Sequence, residues 1–126
     1  VNAGAAITFF YYRDLAAAQG FYQDVLGLPL ARDQGWAKIL RLSPSAYVGL
    51  VDETRGSLRA AASKPVMLTL VVGEDQVDAW HARLAAAKVE GLTEPKLHEE
   101  TGVYGFFARD PEGYWLEVQS FREPLV

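Results

Sequence analysis

The chain has 126 residues, half of them hydrophobic by a wide count, with 12 basic against 16 acidic side chains and a formal net charge of −4. That is enough for one domain, or two small halves sharing a core, and its lack of a dense Lys/Arg run excludes the basic footprint a nucleic acid demands. There is no cysteine, so disulfides, thiolate metal sites and cysteine nucleophiles are excluded as well.

The start, Val1-Asn2-Ala3-Gly4-Ala5-Ala6, lacks a basic stretch ahead of an apolar one and reads poorly as a signal peptide. No apolar run approaches the roughly 20 residues of a membrane helix. The expectation is a cytoplasmic protein with no nucleic-acid or membrane partner.

Taken in chain order, Ile7 to Tyr12 is rich in β-branched and aromatic residues and predicts a strand. Asp14 is a candidate N-cap. Apolar residues then recur at Leu15, Ala18, Phe21, Tyr22, Val25 and Leu26, one face of a helix closed by Gly27. Gly20 inside this helix costs helix propensity, which predicts a packing reason for it. Leu28–Arg32, Trp36–Leu42 and Ala46–Asp52 read as three further strands, separated by Asp33-Gln34-Gly35 and Ser43-Pro44-Ser45.

The second half repeats this order. Val66 to Val72 predicts a strand, and Glu74-Asp75 put negative charge where a helix start favours it. Val77, Trp80, Leu84 and Ala87 mark one helical face, closed near Glu90-Gly91-Leu92. Lys96–Glu99, Gly105–Arg109 and Tyr114–Phe121 then read as strands, with turns at Thr101-Gly102 and Asp110-Pro111-Glu112-Gly113. The first strands of the halves begin about sixty residues apart, which points to an internal duplication. The predicted class is α+β, βαβββ twice: module 1 about 5–53, a polar, Ala-rich linker about 54–64, and module 2 about 65–122.

Two stretches carry a family resemblance: Tyr12-Arg13-Asp14-Leu15 with Phe21-Tyr22 and Val25-Leu26-Gly27-Leu28, and Asp110-Pro111-Glu112-Gly113-Tyr114-Trp115-Leu116-Glu117. At this spacing they resemble the vicinal oxygen chelate superfamily of glyoxalase I, extradiol dioxygenases and bleomycin-resistance proteins. The resemblance covers nearly the whole chain. It implies two βαβββ modules curling around a cleft as a cup-shaped mixed sheet, and two chains pairing as a homodimer. It also implies a divalent metal held from strands one, four, five and eight. Those positions here are Ile7, Gly49, Met67 and Glu117, of which only Glu117 offers an oxygen donor. Strand alternation puts Phe9, Tyr47, Val51, Thr69 and Trp115 on the same faces, and none is a usual ligand. His81 falls in the second helix and His98 near the following strand, at no familiar metal spacing. The expectation is a site with no metal and no other cofactor.

Aromatic residues fill the remaining inward positions: Phe9, Tyr11, Trp36 and Tyr47 in the first half, Tyr104, Phe106 and Trp115 in the second. With Met67, Lys38 and Glu117 they are the candidate ligand-binding residues. An apolar pocket with few polar handles is the usual form of a small-molecule site, and Tyr and Trp rings suit flat or cationic ligands. Lys38 shares a face with Trp36, either solvated or at the cleft rim. Glu117 is the one candidate for catalysis; without a metal it needs a partner such as Lys38, Arg41, a tyrosine hydroxyl or a cationic ligand. No nucleophile elbow, phosphate loop or dinucleotide fingerprint is present. The leading expectation is therefore a bleomycin-resistance-like protein binding a small aromatic or cationic molecule. The alternative is a superfamily lyase, isomerase or dioxygenase using Glu117 and an atypical metal site. Glyoxalase I activity is not expected, because the resemblance implies a metal for it.

Overall fold

A computed structural model describes residues 2–125. The chain divides into two compact units between Ala62 and Ser63. In module 1, β1 (Ala6–Tyr12) is followed by α1 (Leu15–Gly20) and three strands, β2 (Leu30–Asp33), β3 (Ala37–Ser43) and β4 (Ala46–Asp52). Module 2 has β5 (Met67–Val71), α2 (Val77–Ala86), β6 (Lys96–His98), β7 (Val103–Arg109) and β8 (Trp115–Phe121). Each module forms its own four-stranded sheet, ordered β1-β4-β3-β2 and β5-β8-β7-β6, and the first strand of each runs parallel to the last. The two orders superimpose element for element, so the βαβββ duplication read from the sequence is the architecture of the chain.

Local chemistry explains the elements. Asp14 caps α1 by accepting the amide of Ala17 at 3.0 Å, satisfying one of the orphan donors of a helix start. The predicted helical face holds: Ala18, Phe21, Tyr22 and Leu26 are all buried. The helix is not uniform, however. After Gly20 it widens into one π turn, Phe21–Val25, and Leu26 donates back to the Phe21 carbonyl at 2.9 Å. Gly20 stands at that junction with open space where a Cβ would lie, so the packing reason expected for it does not exist. Gly27 follows at φ 74°, the left-handed stop that its missing Cβ permits.

In module 1 the helix covers Phe10 and Tyr12 of β1, Leu40 of β3, and Val48 and Leu50 of β4, all within 2 % of full burial. The Tyr12 hydroxyl donates to that of Tyr22 at 3.2 Å, giving two buried phenols one shared partner. In module 2, α2 begins one turn later than the acidic pair suggests, because Glu74–Gln76 form a 3-10 turn. Val77 and Leu84 are its fully buried residues, packed over a sheet face that includes Phe106, Leu116 and Val118. The helix ends at Ala86, short of Gly91, and residues 87–92 leave it as a loop in which Lys88 and Gly91 both take positive φ.

Asp110, in the motif that carried the resemblance, proves to be a turn-builder. It is 2 % exposed, and its Oδ1 accepts the amides of Glu112 at 3.0 Å and Tyr114 at 2.9 Å. With Gly113 at φ 90°, this fixes the hairpin that delivers β8 in register. Among the described residues, no helix is long and apolar enough to cross a membrane.

Candidate functional site

The side chains that matter lie on the sheet faces turned away from the helices. In module 2, pairing register sets three rows across that face. The first is Met67–Trp115–Arg109, the second Thr69–Glu117–Phe107, the third Val71–Gln119–Gly105. The Phe107 and Trp115 rings meet edge to face, 6.4 Å apart. The Arg109 guanidinium lies 4.1 Å from the centre of the Trp115 ring, a cation–π contact. Met67, Phe107 and Trp115 enclose a shallow apolar hollow of about 210 Å³.

Glu117 stands in the middle of this face, half-buried. Its Oε1 accepts the Thr69 hydroxyl at 2.9 Å. With its amide turned to donate, Gln119 reaches both carboxylate oxygens, at 3.3 and 3.0 Å. The stem of Gln119 fills the space that a side chain on Gly105 would need. Two neutral donors thus hold the carboxylate in place, and among the described residues no cation pairs with it. A carboxylate so placed, with part of its hydration removed, attracts a positive group.

In module 1 the corresponding face carries Ile7, Phe9 and Tyr11 of β1 beside Tyr47, Gly49 and Val51 of β4. Phe9 is directly opposite Gly49, and a methyl group on that glycine would collide with the Phe9 ring. Tyr11 and Val51 are covered by the chain at Gly56, which approaches both too closely for any side chain. That loop is tied down by Arg59, whose Nη1 donates to the carbonyls of Glu53, Gly56 and Leu58 at 2.8 to 3.0 Å.

Of the sequence-predicted residues, Met67, Trp115 and Glu117 therefore meet on one face of module 2, and Phe9, Tyr11 and Tyr47 on one face of module 1. The others stand elsewhere. Tyr104 and Phe106 lie on the helix side of β7: the Phe106 ring meets His81 of α2 edge to face, and the Tyr104 hydroxyl donates to Asp78 of α2. That hydrogen bond to a carboxylate raises the Tyr104 phenol above its ordinary pKa. Lys38 is opposite Leu50, on the α1 side of its sheet, and its ammonium pairs with Asp33 at 2.7 Å. The ion pair with Asp33 occupies it within module 1. The bond holds the Asp33 carboxyl below the usual carboxylate range, helped by the Gly35 amide. Trp36 sits just before β3, 41 % exposed, and its carbonyl accepts the amide of Asp52 at the end of β4 at 2.9 Å.

Phe107, Arg109 and Gln119 belong to the module 2 face and were missed in the sequence. The signal was there, since Gln119 is two residues beyond Glu117 on the same strand and must share its face.

The donors that a divalent metal would use can be tested against these positions. In module 1, Ile7 has no lone pair, and the place of a Gly49 side chain is filled by the Phe9 ring. In module 2, Met67 offers a soft thioether and Glu117 is the single hard donor. Among the described residues no three His, Cys, Asp or Glu side chains gather as a metal-binding group. The residues present do not fit a resident divalent cation.

The profile of the Glyoxalase/Bleomycin resistance protein/Dioxygenase superfamily matches residues 5–118, and the chain belongs to that superfamily. A lactoylglutathione lyase from Agrobacterium tumefaciens is similar in structure, at 25% identity over 94% of each chain with a TM-score of 0.74. So is a glyoxalase/bleomycin resistance protein/dioxygenase from Nocardioides, at 20% identity over 98% of this chain and 86% of that one, TM-score 0.77. A genomically encoded fosfomycin resistance protein from Listeria monocytogenes shares the fold at 12% identity, with 99% and 97% coverage and a TM-score of 0.76. No protein of curated function matches significantly by sequence.

Proposed function

We propose that this chain is a binding member of the superfamily that takes a small, flat, cationic molecule on the open sheet face of module 2, without a metal. The observation that carries the reading is Glu117: a half-buried carboxylate held by Thr69 and Gln119, in no ion pair among the described residues and with an aromatic floor next to it. Trp115 offers the hollow a ring edge beside Phe107, and the Arg109 guanidinium stacked on it leaves Glu117 as the group that would attract the positive charge. Met67 supplies an adaptable, exposed apolar edge to the hollow. The donor set at Ile7, Gly49, Met67 and Glu117 supports the metal-free part of the reading.

The test is a titration of tryptophan fluorescence with benzyltrimethylammonium, and with benzyl alcohol as the neutral counterpart. Binding predicts quenching by the ammonium compound that is lost in Trp115→Phe, with Trp36 and Trp80 left as unresponsive reporters. Equal response to both compounds, or to neither, would sink the reading.

A second reading, an enzyme of the lyase, isomerase or dioxygenase kind, is favoured by the 25% identity with a lactoylglutathione lyase over nearly the full chain. In it Glu117 would exchange a proton with bound substrate. Elemental analysis after incubation with Ni, Co, Mn, Fe and Zn separates the two: near-stoichiometric retention of one metal favours the enzyme, and none favours the binding protein.

A further inference from the structure

Module 1 holds a concavity of about 350 Å³ lined by Ile7, Ala31, Arg32, Ile39, Arg41 and Tyr47. Two rows of the face away from α1 build it, Arg41–Tyr47–Ile7 and Arg32–Ile39–Gly49–Phe9. Arg32 is there because of an irregularity in its strand. The register passes from Leu30 opposite Leu40 to Arg32 opposite Ile39, leaving Ala31 without a partner. Regular pairing would set Ala31 against Ile39 and turn Arg32 toward the α1 side. The bulge re-aims one cation onto the face where Arg41 already stands, which is a recurrent use of bulges near binding sites.

The same slip places Asp33 opposite Lys38, so the acid of this hairpin is engaged at 2.7 Å elsewhere. Arg41 is oriented by two contacts: its Nη1 donates to the Pro44 carbonyl at 3.2 Å, and its guanidinium lies 5.2 Å from the centre of the Tyr47 ring. Its other N–H groups remain to donate. Among the described residues neither Arg32 nor Arg41 enters an ion pair. Two like charges line one hollow without a counter-charge, in a chain whose net charge is −4. The cheapest relief is an anion bound by both, and the planar fork of Arg matches carboxylate and phosphoryl oxygens. Ile7 and Phe9, 41 % and 43 % exposed, extend an apolar strip beside the two guanidinium groups.

We infer that this pocket binds a small organic anion, its carboxylate or phosphoryl group held by Arg32 and Arg41 and its apolar part lying on Ile7 and Ile39. The inference rests on module 1 alone and is independent of the reading of Glu117.

The test is heteronuclear NMR at low ionic strength, following the backbone amides and guanidinium Nε–H signals of Arg32 and Arg41. The probes are phenylphosphonate, benzoate, inorganic phosphate and neutral benzyl alcohol. Saturable shifts with phenylphosphonate or benzoate are expected, and the tighter of the two names the head group. Arg32→Gln and Arg41→Gln should each weaken binding about tenfold, the scale of one charge-assisted hydrogen-bond pair. Among the described residues the Arg32 side chain makes no hydrogen bond or ion pair, so R32Q carries the test even if R41Q disturbs the β3–β4 turn. Unmoved signals with both organic anions, an equal response to benzyl alcohol, or unchanged affinity in R32Q overturns the assignment. Inorganic phosphate binding as tightly as phenylphosphonate overturns its organic part.

Discussion

Replacing Glu117 by Gln removes one charge and almost no volume, so it isolates what the carboxylate does. In the fold, Oε1 can still accept the Thr69 hydroxyl, and the Gln119 amide can turn to match the new donor. Two charge-assisted bonds become neutral ones, a loss of about 1 kcal/mol, partly offset because a half-buried charge is no longer held out of water. The melting temperature should therefore move by only about 2–6 °C. Binding behaves differently. A cation roughly 4–5 Å from the carboxylate gains about 3–4 kcal/mol at an effective dielectric near 20, and solvent access to this half-exposed site brings that to about 1.5–2 kcal/mol. E117Q should thus bind benzyltrimethylammonium roughly ten- to thirtyfold more weakly while its affinity for a neutral analogue is unchanged. The assay is the fluorescence titration with thermal denaturation run in parallel. Affinity within twofold of the parent, with the fold intact, refutes the electrostatic role; loss of the fold refutes the argument that two neutral donors suffice.

Asp110→Ala deletes the acceptor of two backbone amides in a buried turn and should cost about 2–3 kcal/mol, whereas Asp110→Asn, which keeps an acceptor, should cost under about half of that; urea midpoints compare the two. Leu40→Ala opens a cavity under α1 at a fully buried site and should cost about 2–5 kcal/mol in the same measurement. Tyr104 gives an alkaline signature. Its hydrogen bond to Asp78 raises the folded phenol above its ordinary pKa, so its contribution is complete below that ordinary value. As pH rises the unfolded chain ionises first, and the contribution fades until the folded tyrosine ionises too. Parent stability should fall more steeply than that of Tyr104→Phe across this window, and parallel profiles would contradict the assignment.

The fold was legible because its signals are local and repeated. Each helix shows apolar residues at helical spacing, each predicted strand-to-strand turn carries Gly or Pro, and the two halves echo one another. What escaped is phase. In β7, Phe106 and Phe107 are adjacent and both aromatic, so composition alone does not say which faces the helix. The pairing of Phe107 with Glu117 decides it, and pairing is a long-range fact. The face of Lys38 escaped for a related reason. Strand alternation applies to paired residues, and Trp36 lies just outside β3 while Lys38 falls on the α1 side. The π turn after Gly20 left no trace that helical periodicity could carry, because Phe21, Tyr22 and Leu26 are buried in either geometry.

The bulge at Ala31 shows why such a failure bears on function. Nothing in Leu30-Ala31-Arg32-Asp33 announces an unpaired residue, yet the slip decides two charges at once: Arg32 joins Arg41, and Asp33 goes to Lys38. A strand without it would set Ala31 against Ile39, Arg32 against Lys38 on the α1 side and Asp33 against Ala37, and would leave Arg41 without a second cation near it on the open face. In module 2 the same kind of placement acts in the opposite sense. Glu117 is set among neutral donors while the nearby cation, Arg109, is stacked on Trp115. Module 1 thus keeps two positive charges unmatched on its open face, and module 2 keeps Glu117 out of any ion pair among the described residues although Arg109 shares its face. That separation is the physical basis on which both binding assignments stand.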